Sequence, residues 1–212
     1  RLVVDNLNFI DCAAQPRMFT ASGTFLSFYN IVDRAYSTTS NTGQLIEADG
    51  VISGGNIQYN YAGGSASAPI FYLNGTGASD STVGSIFINA TASVNTPAVK
   101  LATVNRIQIG NIRTVNLRNS TANVEINTVT QSTIGSINCT GASTLGVGLL
   151  INGITDCQLG NVQITNFATG ISKGAGAITR STVLTASVTG NTTNTNVPNG
   201  SFTALLQSGF QL

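Results

Sequence analysis

The sequence predicts an all-β fold, a right-handed single-stranded parallel β-helix, and three observations carry that expectation. A short unit recurs along the chain, its apolar residues fall into columns when the copies are stacked, and no stretch shows helical periodicity. The unit is plainest in Leu159–Gly160–Asn161–Val162–Gln163–Ile164. It returns as Ile109–Gly110–Asn111–Ile112, Ile134–Gly135–Ser136–Ile137 and Val83–Gly84–Ser85–Ile86. Weaker copies are Asn6–Leu7, Asn30–Ile31, Asn56–Ile57 and Ser187–Val188. In each, a small polar anchor precedes Ile, Val or Leu, and successive anchors are 24, 26, 29, 26, 25, 25 and 26 residues apart. A period in this range marks a solenoid of stacked windings, here about eight coils followed by a less regular tail.

The uninterrupted repeat makes residues 1–190 one domain and leaves 191–212 as a C-terminal arm or cap. Of the 212 residues 42% are hydrophobic and only 8% charged, far below the roughly one quarter typical of soluble domains. Asn, Ser, Thr and Gly therefore supply the polar surface. A formal net charge of +1 with no basic run argues against nucleic acid as a partner. No apolar run approaches the roughly 20 residues that cross a bilayer, so membrane insertion is not expected.

Taken in order, residues 1–28 hold irregular copies, with Val4, Leu7 and Phe9 alternating with polar residues before Cys12 to Arg17 breaks the pattern. An end winding must cover the stack, which accounts for the irregularity. The period lengthens between Asn56 and Ser85, and the extra residues fall in the small, Gly- and Pro-containing stretch 59–69, read as a loop. From 69 to 167 the copies align position by position. One residue after each anchor stand Ile86, Ile112, Ile137 and Val162; twelve before stand Leu73, Val99, Val124 and Leu149; ten before stand Gly75, Leu101, Ile126 and Ile151. Such columns predict parallel strands with one face inward, about 4.8 Å apart from winding to winding. Gly and the anchor are expected to form a corner, and the stacked anchors a hydrogen-bonded polar ladder. Lys100 with Glu125, and Asp80 with Arg106, fall on adjacent windings as surface ion pairs. After residue 171 the pattern loosens, and the apolar segment 202–212 either caps the stack or packs on a neighbouring chain.

Chemistry is sparse. The chain has no His, which removes the commonest general base and metal ligand, so no metal and no cofactor are expected. Cys139 and Cys157 fall in apolar columns and read as core residues. Glycoside hydrolysis usually needs two carboxylates about 5 to 9.5 Å apart. Only Glu47 and Asp49 stand close in sequence, two apart on one face of a strand, and they are the candidate catalytic pair.

The columns, together with the run Gly148–Leu149–Leu150–Ile151 through Leu159–Gly160–Asn161–Val162 to Gly170–Ile171, resemble the right-handed parallel β-helix of the pectate-lyase-like superfamily. Within it, the low charge and the Asn/Ser/Thr-rich faces look most like bacteriophage tailspikes and tail fibres. The His-containing motif and the calcium-binding Asp cluster of pectinases are absent. The resemblance implies a virion structural protein on the phage tail, extracellular, homotrimeric, joined to other tail proteins and contacting bacterial surface polysaccharide. A polysaccharide depolymerase of the same fold and a secreted bacterial adhesin are the alternatives.

Overall fold

The computed structural model describes residues 1–10, 18–20, 22–35, 45–61, 65–66, 68–91, 93–94, 96–119, 121–142, 144–198, 201–202 and 205–207. The chain alternates between two parallel sheets. The first contains, in spatial order, Leu2–Ile10, Phe25–Ala35, Val51–Tyr61, Thr82–Ala90, Gln108–Asn119, Thr133–Gly141, Gln158–Thr165, Thr182–Thr189 and Leu205–Gln207. The second contains Met18–Thr20, Ile46–Ala48, Phe71–Asn74, Val99–Asn105, Ala122–Thr130, Val147–Ile151, Thr169–Lys173 and Thr193–Thr195. Spatial order follows chain order in both sheets, and each of these neighbouring pairs is parallel. This is an all-β parallel solenoid. It has about six turns rather than eight, those in which a second-sheet strand leads into a first-sheet strand within residues 45–189. The strands beyond those limits extend the two sheets at either end. Cys12 to Arg17, most of the 202–212 segment and part of the 59–69 loop lie outside the described residues.

Register places the apolar columns as the repeat requires. Ile86, Ile112, Ile137 and Val162 are Cα partners on consecutive windings, each at most 1% exposed. A continuous stripe of β-branched side chains suits a parallel sheet buried on one face. Each such side chain contributes about 1.5–3 kcal/mol on leaving water. Where an inward position holds glycine, a neighbour fills the space: a Cβ on Gly54 would lie 2.0 Å from the Phe28 ring.

Three details differ from the sequence alignment. Leu73 pairs with Leu101, and Phe71 with Val99, a shift of two residues. The displacement arises because the same winding also carries a 3-10 turn, Thr76–Ala78, so the lengthening is not confined to the 59–69 loop. The last anchor is Thr185, the partner of Asn161, and not Ser187. The third difference concerns the corner. Gly84, Gly110, Gly135 and Gly160 lie within strands and none has positive φ. Left-handed backbone occurs instead five residues before the anchors from Ser85 onward, at Asp80, Arg106, Gln131, Asp156 and Arg180, with φ of 64, 52, 49, 55 and 43°.

Non-glycine residues enter that region at a cost of about 1–2 kcal/mol each, and after Asp80, Gln131 and Arg180 the next residue is a serine. Ser81, Ser132 and Ser181 are buried just inside the corner. The Ser132 hydroxyl accepts from the Ile107 N–H at 3.0 Å and donates to the Thr130 carbonyl at 2.6 Å. Ser81 and Ser181 make the equivalent bonds with the N–H of Ile52 and Cys157 and the carbonyls of Ala78 and Thr179. A serine inside the corner thus satisfies backbone groups that the change of direction takes out of the ladder.

Candidate functional site

The side chains of the first sheet's outer face are set by the same columns. Three residues before the anchors stand Thr82, Gln108 and Thr133, all exposed. Next but one come Gly84, Gly110 and Gly135, then the anchors themselves. Two successive outward positions separate the inward Ile109 from Ile112, so strict alternation slips there and the glycine has no Cα partner in the ladder. The windings approach closely at that point: a Cβ on Gly110 would meet the Gly84 carbonyl oxygen at 2.3 Å, and one on Gly135 the Gly110 oxygen at 2.4 Å. Glycine is required by this approach, not by a turn.

The consequence is a groove running along the stack. Its volume is about 550 Å³, its sides are Thr82, Gln108 and Thr133, and its floor is Gly84, Gly110 and Gly135 with Val83 and Ile109. Gly55 and Gly160 continue the glycine column at either end, with Tyr29 next below and Leu184 next above. Both of these large side chains are exposed, 64% and 40%, so the smooth track stops at each.

Beside the glycines the anchors form the polar ladder. Asn56 donates to Asn30 at 3.0 Å, Asn30 to Asn6 at 2.8 Å, Ser85 to Asn56 at 2.6 Å, and Thr185 to Asn161 at 3.0 Å. Ser136 donates to Asn111. Further out, Arg113 lies over the Phe87 ring, 5.3 Å from its centroid. On the opposite border, Asp80 holds Arg106 through two bonds of 2.6 and 2.8 Å. Its carboxyl is lowered below the usual range by those bonds. The same column repeats the arrangement with Asp156 and Arg180, a pair the sequence alignment missed because it ended near residue 171. No residue lining the groove ionises.

Glu47 and Asp49 lie on the other sheet. They flank the buried Ala48 and are both half-exposed, so they share a face. Asp49 has left the strand, however, and its carboxylate packs against the turn above, where a Cβ on Gly75 would meet its Oδ1 at 2.6 Å. Glu47 instead stands in a column with Tyr72, Lys100 and Glu125. Lys100 Nζ is 3.6 Å from Glu125 Oε1 and 5.7 Å from the Tyr72 ring centroid. Asn152 donates to the same Glu125 oxygen at 3.3 Å. Burial, then Glu47 and Glu125, push the Tyr72 hydroxyl above its ordinary value, which suits it to donating a hydrogen bond and not to acting as a base. Sequence spacing paired Glu47 with Asp49; stacking pairs it with Tyr72.

Cys139 is buried, and burial pushes its thiol up to about 12, while burial also raises Cys157. Neither is poised as a nucleophile or thiolate ligand. Among the described residues no cluster of His, Cys, Asp and Glu could hold a metal ion, and no helix is long and apolar enough to cross a membrane. Comparison with protein-family models, curated proteins and solved structures returned no match.

Proposed function

We propose that the chain is the β-helical part of a phage tailspike or tail fibre, homotrimeric in the virion, and that it binds bacterial surface polysaccharide along the glycine-floored groove. The observation that carries the reading is the groove's lining, which offers hydroxyl, amide and backbone groups with no ionisable side chain. A polyhydroxylated chain needs both donors and acceptors, which Thr and Gln supply without a charge to desolvate. An elongated track along the stack fits an elongated ligand, and Tyr29 at one end offers an aromatic face to a sugar ring. A lining without acid or base favours retention over cleavage.

The test is titration of the purified chain with capsule or lipopolysaccharide glycans, with its mass measured in native solution. Binding that falls at least tenfold in Gln108→Ala/Thr133→Ala, about 1.4 kcal/mol, supports the reading. Both substitutions are at exposed positions and leave the core intact. Undiminished binding in that variant, or a monomer with no glycan affinity, overturns it. The depolymerase reading is favoured by one observation, the column Glu47, Tyr72, Lys100 and Glu125 on the other sheet. Release of reducing ends that Glu47→Gln abolishes would select it.

A further inference from the structure

From Ile52 to Thr185 the corner and the polar ladder share a period of two windings. Four residues before the anchors, Ile52, Ile107 and Cys157 alternate with Ser81, Ser132 and Ser181. The anchors alternate in step, Asn56, Asn111 and Asn161 with Ser85, Ser136 and Thr185. The hydrogen bonds keep the same rhythm. Ser81, Ser132 and Ser181 accept from the N–H of Ile52, Ile107 and Cys157, each one winding back. Ser85, Ser136 and Thr185 donate to Asn56, Asn111 and Asn161, again one winding back. Every one of these bonds ties an amide winding to the hydroxyl winding after it, so the windings are fastened in pairs.

The groove is cut through this alternation. Opposite the anchors its wall is Thr82, Gln108 and Thr133, a column that continues as Gln158 and Thr182. Winding by winding, the glycine floor therefore lies between Thr and Ser, then between Gln and Asn, then between Thr and Ser again. Hydroxyl pairs are short and leave the groove wide. Amide pairs reach further, and each side chain brings both a donor and an acceptor. Asn111 and Asn161 spend their oxygens on the ladder, while their N–H groups have no acceptor among the described residues. Successive windings are about 4.8 Å apart, so the lining repeats every ~9.6 Å. The first spacing is close to the length of one pyranose in an extended glycan, which makes the second the length of two.

We propose that the groove selects a neutral glycan whose backbone repeats every two sugars, one kind seated on the hydroxyl windings and the other on the amide windings. The inference rests on the glycan reading above and adds the repeat unit to it. Neutrality follows from a lining without an ionisable side chain. A three-sugar repeat falls out of step, because successive copies meet the two winding types in opposite order and leave amide donors facing the wrong sugar.

The whole chain is presented to an array of neutral capsular and O-antigen polysaccharides of known repeat, and affinities are measured for the parent and for Gln108→Thr/Gln158→Thr. Both glutamines are exposed and neither belongs to the ladder, so the variant removes the alternation from one wall and keeps it polar. Thermal denaturation checks that its fold is unchanged. The expected result is a preference for backbones with an even number of sugars per repeat. In the variant, binding to them is about tenfold weaker, the net worth of roughly one hydrogen bond, and the preference disappears. Equal retention of one- or three-sugar repeats, or undiminished binding by the folded variant, overturns the proposal. If those odd repeats still lose affinity in Gln108→Ala/Thr133→Ala, the groove remains a glycan site and only the two-sugar rule fails. Retention of no glycan overturns both.

Discussion

Asp33 occupies the inward column between Phe9 and Tyr59, 1% exposed, and neither carboxylate oxygen has a hydrogen-bond partner. Desolvation raises its pKa from 3.8 to about 6. Its folded-state pKa lies above the unfolded value, so its favourable contribution is complete below the unfolded value and is lost as pH rises through about 6. Denaturation midpoints measured from about pH 4 to 7 should therefore show a loss on the order of 2 kcal/mol that is missing in Asp33→Asn. The exposed Asp80 and Asp156 act in the opposite sense, since their lowered pKa values stabilise the fold above the ordinary carboxylate range and lose that effect as pH falls. Comparing the variant with the parent isolates Asp33. No residue pattern announced it, for an Asp between Val32 and Arg34 reads as surface until the column shows it facing inward.

An individual winding depends on how closely it can lie on the next. Gly135 and Gly153 are alike as letters, yet a Cβ on Gly135 would meet a carbonyl oxygen at 2.4 Å, while one on Gly153 would meet nothing nearer than 3.6 Å. Gly135→Ala should cost about 1–3 kcal/mol by urea denaturation, and Gly153→Ala should be close to neutral. Equal effects at both positions would mean that the glycine column reflects local chain flexibility and not close approach. The polar ladder is the complementary device: one neighbour of each glycine carries an amide or hydroxyl that ties adjacent windings together. Apart from the last anchor, Thr185, and the two-residue shift at Leu73, anchors and columns were readable from spacing. The part each plays was not, because a left-handed corner and a close approach both select glycine, and only φ and the inter-winding distance separate them.

At the scale of the molecule, each winding touches only its neighbours, so stability is a sum along one axis and the ends are weakest. Native-state hydrogen exchange should be slowest for the strands within residues 82–165 and faster for Leu2–Ile10, whose inward residues Val4, Leu7 and Phe9 are only half-buried. A single exchange free energy throughout would show that the stack opens as one unit. The groove and the Glu47 column also belong to this scale, since each is assembled from residues roughly 25 positions apart that meet only through register.

The sequence by itself determined the solenoid, because inward positions must repeat wherever windings stack, and a repeat of apolar residues survives in one dimension. It also determined that Ile112, Ile137 and Val162 would touch, and that acids and bases would be few. The tertiary structure alone decided where the chain turns sharply, which of Glu47's neighbours it faces, and that a strip without side chains becomes a groove. Those outcomes depend on distances between windings of a few ångströms and on backbone angles at single residues, neither of which leaves a periodic mark in the order of amino acids.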